Sequence, residues 1–161
     1  MSSDEGSVIK EQALHPEQAM RRTDENEKQK SATEYVLDER IRRALLAASD
    51  KKAVNPVLLD LQEIASFTDY FVITSGSNVR QVQAIADAIV EQLKLIGERA
   101  ARVEGYSTAE WVLVDYGDFI VHVFEEKARQ FYDLERLWRE AKRIPLPPEL
   151  GGPAEKPGAG Q

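Results

Sequence analysis

Cysteine is absent from this chain of 161 residues, and histidine occurs only twice. Without cysteine there are no disulfides, no thiolate zinc sites and no cysteine nucleophile, and a reducing compartment is favoured. No apolar run approaches the ~18 residues that a membrane-spanning helix needs. The first residues are acidic rather than basic and no apolar run follows them, so we expect a cytoplasmic protein without a secretory signal.

Positive charge is also scarce, because 28 acidic residues outnumber 21 basic ones and give a formal net charge of −7. This balance argues against a polybasic membrane anchor and against a general coat for nucleic acid. We therefore expect neither a membrane nor sequence-specific nucleic acid as a direct partner. The length suits about one domain.

Composition divides the chain into three segments. Residues 1–37 contain eight acids, five bases and one aromatic residue, which predicts a disordered acidic tail, with a loose helix over 17–30 as the alternative. Residues 145–161 contain five of the seven prolines and four of the nine glycines, which predicts a second disordered tail. The folded domain is expected over residues 38–144, where eleven of the twelve aromatic residues lie.

Hydrophobic periodicity in the middle segment predicts a mixed α/β domain with the element order α-β-β-α-β-β-β-α. Asp38 is placed to cap the first helix. The longest helix is expected after the turn at 75–77, with Ser77 as its N-cap and Gly97 as the left-handed residue after its end. Five strands are predicted from β-branched and aromatic runs over 57–61, 70–74, 100–104, 111–115 and 119–124.

The last two strands and the last helix carry most of the aromatic residues. Tyr116-Gly117 reads as a two-residue hairpin loop between the strands. The final helix is predicted over 129–143, because apolar residues recur there at helical spacing. Its buried stripe would consist of Phe131, Leu134, Trp138 and Ala141.

The turn Ser75-Gly76-Ser77 places backbone N–H groups at a helix N-terminus, where an anion can bind. The turn favours a serine-capped helix start, with a nucleotide-binding or nucleotidyltransferase-related enzyme as the alternative. No P-loop lysine follows it. The D-x-E at 133–135 is predicted to be helical, so its carboxylates diverge and cannot share a magnesium ion. We therefore expect no catalytic carboxylate pair, no metal, no cofactor and no enzymatic activity.

Motifs of the middle segment resemble a known family. They occur in order as TDYFVI (68–73) and RQVQAIAD (80–87), then WVLVDYGD (111–118) and VHVF (121–124), and finally Arg129, Phe131-Tyr132, Leu134-Glu135 and Leu137-Trp138. On these motifs, residues 38–143 resemble the ribosomal silencing factor family, also called Iojap-like proteins.

The resemblance implies a nucleotidyltransferase-like mixed sheet flanked by helices and lacking the catalytic carboxylates. It also implies a translational repressor that binds the large ribosomal subunit through its fourteenth ribosomal protein. Such a repressor would block joining of the small subunit, chiefly when nutrients are scarce, and could form a homodimer when free. A mildly acidic domain suits a basic ribosomal protein. An interaction module with a non-ribosomal partner is the remaining alternative.

We expect the partner-binding patch on the hairpin and the last helix, aromatic at its centre and acidic at its rim. Tyr132 lies off the predicted buried stripe of its helix, which favours exposure. His122 lies mid-strand between two valines, which favours a packed and hydrogen-bonded imidazole. The core is the alternative place for Trp111 and Phe131. The full candidate set is Trp111, Asp115, Tyr116, Asp118, His122, Phe131, Tyr132 and Glu135.

Overall fold

The protein is represented by a computed structural model that describes residues 37–154. Residues 1–36 of the predicted N-terminal tail and residues 155–161 of the C-terminal one lie outside the described residues. In the described part of the chain, no helix is both long and apolar enough to cross a membrane.

Six strands form one mixed sheet, which confirms the predicted α/β class and adds one strand to the expected five. The strands are β1 (Val54–Asp60), β2 (Tyr70–Gly76), β3 (Arg102–Glu104), β4 (Trp111–Asp115), β5 (Phe119–Glu125) and β6 (Lys142–Ile144). Their order across the sheet is β3-β4-β5-β2-β1-β6. The central β2–β5 pair is parallel, and the other pairs are antiparallel.

Two long helices cover one face of this sheet. They are α1 (Glu39–Asp50) and α2 (Val79–Leu95), and they pack against each other. The side chain of Asp38 caps α1 as predicted, and Gly97 has the predicted positive φ, of 84°. The predicted N-cap of α2 is wrong by one residue, because Asn78 is the cap and accepts from the backbone N–H of Gln81.

The opposite face of the sheet packs against the chain that follows β5. Phe71, Ile73, Ile120 and Phe124 form a buried cluster there with Leu134. Two short helices supply this cover, α3 (Glu126–Tyr132) and α4 (Leu134–Leu137). With both faces covered, every residue of β5 except Glu125 is buried.

The single helix predicted over 129–143 is wrong. Asp133 adopts a left-handed conformation (φ 50°) that ends α3, and the chain then forms α4 and the edge strand β6. The break turns Phe131 outward, so that it is 80% exposed, while Leu134 stays buried. Helical spacing could not reveal this break, because it depends on the pairing of β6 with β1 and on the ion pair between Arg129 and Glu135.

Two other predicted boundaries also differ. The hairpin between β4 and β5 has three loop residues rather than two, since Asp118 joins Tyr116 and Gly117. The C-terminal tail predicted from residue 145 is wrong for residues 145–154, where Pro148–Leu150 forms a 3₁₀ helix that contacts α1. Leu150 is buried there, so an apolar anchor within a proline-rich segment orders it.

Candidate partner-binding face

The alternation of side chains along the hairpin sends two sets of residues to opposite faces of the sheet. Trp111 and Leu113 of β4 share the face opposite α1 and α2 with His122 and Phe124 of β5. Val112 and Val121, by contrast, are fully buried on the helix side. The candidate site is built on the first of these faces.

Trp111 is the centre of the aromatic contacts on this face. Its indole Nε1–H donates to Nδ1 of His122 at 3.1 Å. Its ring lies 4.9 Å from the ring of Phe124 and 4.9 Å from that of Tyr132, centroid to centroid. Trp111 therefore joins the hairpin to the end of α3.

His122 lies beneath this surface rather than on it. Its side chain is 3% exposed, and its ring meets Phe71 edge-on at 4.4 Å. Burial lowers the pKa of His122 to about 4, so the imidazole is neutral near pH 7. The expectation of a packed, hydrogen-bonded histidine is confirmed, and His122 acts on the surface through Trp111.

The exposed part of the face is supplied by α3 and α4. Phe131 packs edge-on against Tyr132 at 5.0 Å, and both are exposed, Phe131 at 80% and Tyr132 at 47%. Leu137 is exposed beyond them. Adjacent exposed apolar side chains of this size are typical of a surface that binds another molecule.

Ring-to-ring contacts continue across the face to a loop that the sequence analysis did not single out. Phe67 is exposed between β1 and β2 and packs against Trp138 at 5.8 Å and Phe71 at 6.1 Å. In the sequence, Phe67 is an aromatic residue outside any periodic strand or helix pattern, and nothing else there indicates its place in the site. We call the following set the aromatic row: Phe67, Trp138, Phe71, His122, Trp111, Tyr132 and Phe131.

Glu135 does not form a free acidic rim. It makes a bidentate ion pair with Arg129, with Nε–Oε1 at 3.0 Å and Nη2–Oε2 at 3.2 Å. The guanidinium of Arg129 also donates to Ser75 Oγ at 2.9 Å and to the carbonyl of Val54 at 3.3 Å. Through these contacts Arg129 connects the α3–α4 break to β1 and β2, so the ion pair with Glu135 stabilises the fold.

Asp115, Tyr116 and Asp118 lie at the other end of the hairpin. Trp111 pairs with Phe124 and Asp115 with Ile120, so four residues of strand, about 13 Å, separate Trp111 from Asp115. Asp115 accepts from the backbone N–H of Gly117 at 2.8 Å, as a turn former does.

Tyr116 and Asp118 pack toward α1 instead of toward the aromatic row. Tyr116 stacks on Phe119 at 4.9 Å, and burial raises its pKa to about 12. Asp118 accepts from Arg40 at 2.9 Å. The eight predicted site residues therefore do not form one patch: Trp111, His122, Phe131 and Tyr132 come together, whereas Asp115, Tyr116 and Asp118 lie apart.

Two backbone N–H groups of the turn that suggested an anion site already have partners within the turn. The backbone N–H of Ser77 donates to Oε1 of Gln81 at 2.7 Å, and the N–H of Gln81 donates to Asn78 at 2.8 Å. A Cβ at Gly76 would lie 3.0 Å from the backbone nitrogen of Val82. The serine-and-asparagine turn thus serves to start α2 and to pack it on β2.

In the part of the chain that the structure describes, the acidic and histidine side chains do not cluster as metal ligands would. Within residues 37–154, no group of three or more histidine, aspartate or glutamate side chains is placed to hold a metal ion. Fold and site together define the class: a mixed α/β domain whose exposed aromatic side chains gather on one face of the sheet, as in domains that bind other proteins.

Comparison with known proteins identifies the family. The protein-family model described as "Ribosomal silencing factor during starvation" matches residues 34–159. Ribosomal silencing factor RsfS of Halalkalibacterium halodurans is 41% identical over 108 residues, which is 67% of this chain and 92% of that protein. The RsfS of Bacillus subtilis is 44% identical over 98 residues, covering 61% and 83% of the two chains.

Solved structures agree. A crystal structure of a protein from Chromobacterium violaceum is 34% identical and superimposes with a TM-score of 0.62, covering 65% of this chain and 88% of the other. The chain belongs to the ribosomal silencing factor family, as its motifs predict.

Proposed function

We propose that this chain represses translation by binding the large ribosomal subunit through its fourteenth ribosomal protein, with the exposed members of the aromatic row as the contact. The bound domain would then block joining of the small subunit, chiefly under nutrient limitation. Membership of a family of ribosomal silencing factors supports the role. The observation that carries the choice of surface is the exposure of Phe131 and Tyr132 beside Trp111.

The physical argument rests on what aromatic residues do at interfaces. Tyrosine and tryptophan bury large areas at low cost in side-chain entropy and dominate binding energy. Trp111 is held by His122 and Phe124, so little ordering remains to be done when a partner covers it. Repression of this kind needs a bound shape in the right place and no chemical step, so we propose that the chain is not an enzyme.

Co-sedimentation with purified large subunits tests the surface. We expect the double variant Phe131→Ala, Tyr132→Ala to bind about tenfold more weakly or worse, because two anchors are lost. Leu95→Ala is the matched control, since Leu95 is 71% exposed on α2, on the other side of the sheet. Equal binding by both variants would contradict the assignment of the surface.

Subunit joining is tested separately. With wild-type protein at low magnesium concentration, we expect fewer complete ribosomes to assemble from the two subunits. The double variant should restore assembly, and the Leu95→Ala variant should not. If complete ribosomes form equally well with and without the wild-type chain, the proposed block is wrong.

We further propose that the free protein forms a homodimer in the cytoplasm and covers the same apolar surface. Exposed aromatic side chains are costly in water, and pairing two copies would bury them. Sedimentation velocity of the wild type should then show dimers at micromolar concentration. The Phe131→Ala, Tyr132→Ala variant should be monomeric, and a wild-type monomer at high concentration would rule out this dimer.

The nucleotide-dependent enzyme remains the alternative and is not favoured by the geometry. Gln81 and Asn78 already accept from two of the N–H groups at this helix start, those of Ser77 and Gln81. Calorimetry with nucleoside triphosphates and magnesium is expected to give no heat of binding. Saturable binding in that experiment would revive the enzyme hypothesis.

A further inference from the structure

A group of positively charged side chains without ion pairs among the described residues lies where the end of α1 meets the start of α2. Lys51, Lys52 and Arg80 are all exposed there. None of them forms an ion pair with any residue of 37–154. We call these three residues the basic corner.

Gln81 holds the two parts of the basic corner together. Its side-chain amide Nε2 donates to the carbonyl of Lys51 at 3.0 Å and to the carbonyl of Lys52 at 3.1 Å. Because Gln81 is the neighbour of Arg80 on α2, this contact brings all three cations to one place. Lys52 has a left-handed backbone (φ 64°), which fixes the direction in which the turn leaves α1.

The sign of the charge here is opposite to that of the chain. The chain carries −7 overall. Asp50 is the acidic residue next to the corner in sequence, and the first turn of α2 contains no acid, so the charged residues along these two stretches of chain are three cations and one anion. Two other basic residues of α1 are neutralised: Arg40 pairs with Asp38 and Asp118, and Arg43 pairs with Glu39.

The position of the basic corner relates it to the aromatic row. Gly76, at the end of β2, pairs with Glu125, and the preceding residue Phe124 pairs with Trp111. The basic corner and Trp111 thus lie at the same end of the sheet, on its two sides. A partner surface that reaches around this end meets aromatic side chains first and then positive charge.

From this arrangement we propose that the basic corner binds the phosphate backbone of ribosomal RNA when the aromatic row is docked on the large subunit. This inference rests on the proposed function. Lysine and arginine without ion pairs neutralise phosphates and release counterions, which adds affinity without sequence specificity. The acidity of the rest of the chain repels RNA elsewhere, so this contact favours one orientation of the docked domain.

Charge reversal tests the proposal. In the double variant Lys51→Glu, Arg80→Glu we expect affinity for the large subunit to fall at least tenfold at moderate salt. We also expect the slope of log affinity against log salt concentration to become shallower by about 1.5, because two phosphate contacts are lost. Lys52 is left unchanged, since its backbone conformation is part of the turn.

The matched control carries the same change in net charge elsewhere. Arg42 and Lys94 are exposed and lack ion pairs within the described residues, and they lie toward the opposite ends of α1 and α2. The variant Arg42→Glu, Lys94→Glu should lose less than threefold in affinity. Equal loss and equal salt slope in the two variants would overturn the proposal, because the effect would then be one of net charge alone.

A second measurement separates this inference from the proposed function. Both charge variants should bind the isolated fourteenth ribosomal protein like the wild type, because that protein carries no RNA. A wild type that binds neither the protein nor the subunit refutes the proposed function and this inference with it. A wild type that binds both, with a Lys51→Glu, Arg80→Glu variant as tight as the control on whole subunits, refutes this inference alone.

Discussion

The indole of Trp111 donates its hydrogen bond to Nδ1 of a histidine that is itself buried, and the two atoms are 3.1 Å apart. This bond requires an imidazole without a proton on Nδ1 and therefore selects one neutral tautomer of His122. Protonation of His122 would remove the acceptor and leave both N–H groups facing each other. The orientation of Trp111, a partly buried aromatic residue of the candidate surface, is thereby linked to the charge of a residue in the core.

Acid should destabilise the fold through His122. Its pKa is about 4 in the folded protein, below the ordinary value of 6.5, so above pH 6.5 it is neutral in both states and contributes no pH dependence. As the pH falls from 6.5 to 4, His122 becomes protonated in the unfolded chain but stays largely neutral in the folded protein. The free energy of unfolding should fall by on the order of 3 kcal/mol over that range. Urea denaturation at a series of pH values measures it.

His122→Phe is the control for that experiment. The variant keeps an aromatic ring in the cluster but has no group that titrates, so its stability should depend less on pH between 6.5 and 4. Parallel pH profiles for the wild type and the variant would show that His122 is not the group responsible.

Gly105 should tolerate no side chain. Its φ is +80°, and a Cβ there would clash with the carbonyl oxygen of Trp111. We expect Gly105→Ala to lower the free energy of unfolding by about 3 kcal/mol or more, because strain and a backbone clash add. Gly97→Ala is the comparison, since Gly97 has a φ of +84° but open space around it. Its cost should be about 1–2 kcal/mol, and equal costs at the two sites would refute the clash.

Phe131 and Leu134 should differ in their contribution to stability, although helical spacing predicts both of them to be buried. Phe131 is 80% exposed and Leu134 is 7% exposed. Phe131→Ala should change stability by less than about 0.5 kcal/mol, whereas Leu134→Ala should cost about 2–4 kcal/mol. Thermal or urea unfolding gives both values. A large loss in Phe131→Ala would mean that the helix is continuous after all.

Arg129 should be the most important charged residue for stability near the α3–α4 break. Its side chain is 12% exposed, and its removal would take from Glu135 its bidentate partner and from Ser75 Oγ and the carbonyl of Val54 one donor each. We expect Arg129→Met to cost on the order of 3 kcal/mol, because it leaves the partly buried carboxylate of Glu135 without its bidentate partner.

Arg143→Met is the matched control for Arg129→Met. Arg143 also contacts Glu135, at 3.7 Å, but its side chain is 64% exposed. Exposed ion pairs contribute little, so its loss should cost less than about 0.5 kcal/mol. Similar losses in the two variants would show that burial does not set the strength of this network.

Local patterns in the sequence were sufficient for α1 and for the hairpin strands. The apolar residues of α1 recur at helical spacing, and the structure buries Ile41, Ala44, Leu45 and Ala48. Gly97 adopts the left-handed conformation expected after α2. These features depend on neighbours within a few residues, which periodicity and capping rules describe.

The candidate site could be predicted only in part, because its contacts join residues that are far apart in the sequence. Trp111 and Tyr132 are 21 positions apart in the sequence, and their contact depends on where α3 leaves the sheet. Phe67 reaches the aromatic row from a loop without any periodic pattern. Tyr116 and Asp118 belong to the same hairpin as Trp111, but strand length and alternation place them away from it.

The sequence alone determined the absence of cysteine chemistry, the mixed α/β class, the first helix, the central strands and the family. Tertiary structure decided the rest: the break at Asp133, the sixth strand, the burial of His122 and the exposure of Phe131. Secondary structure of one segment follows from local propensity and periodicity. The burial of a given side chain depends on contacts between distant segments, such as Arg129 with Val54 and β6 with β1, which no local pattern contains.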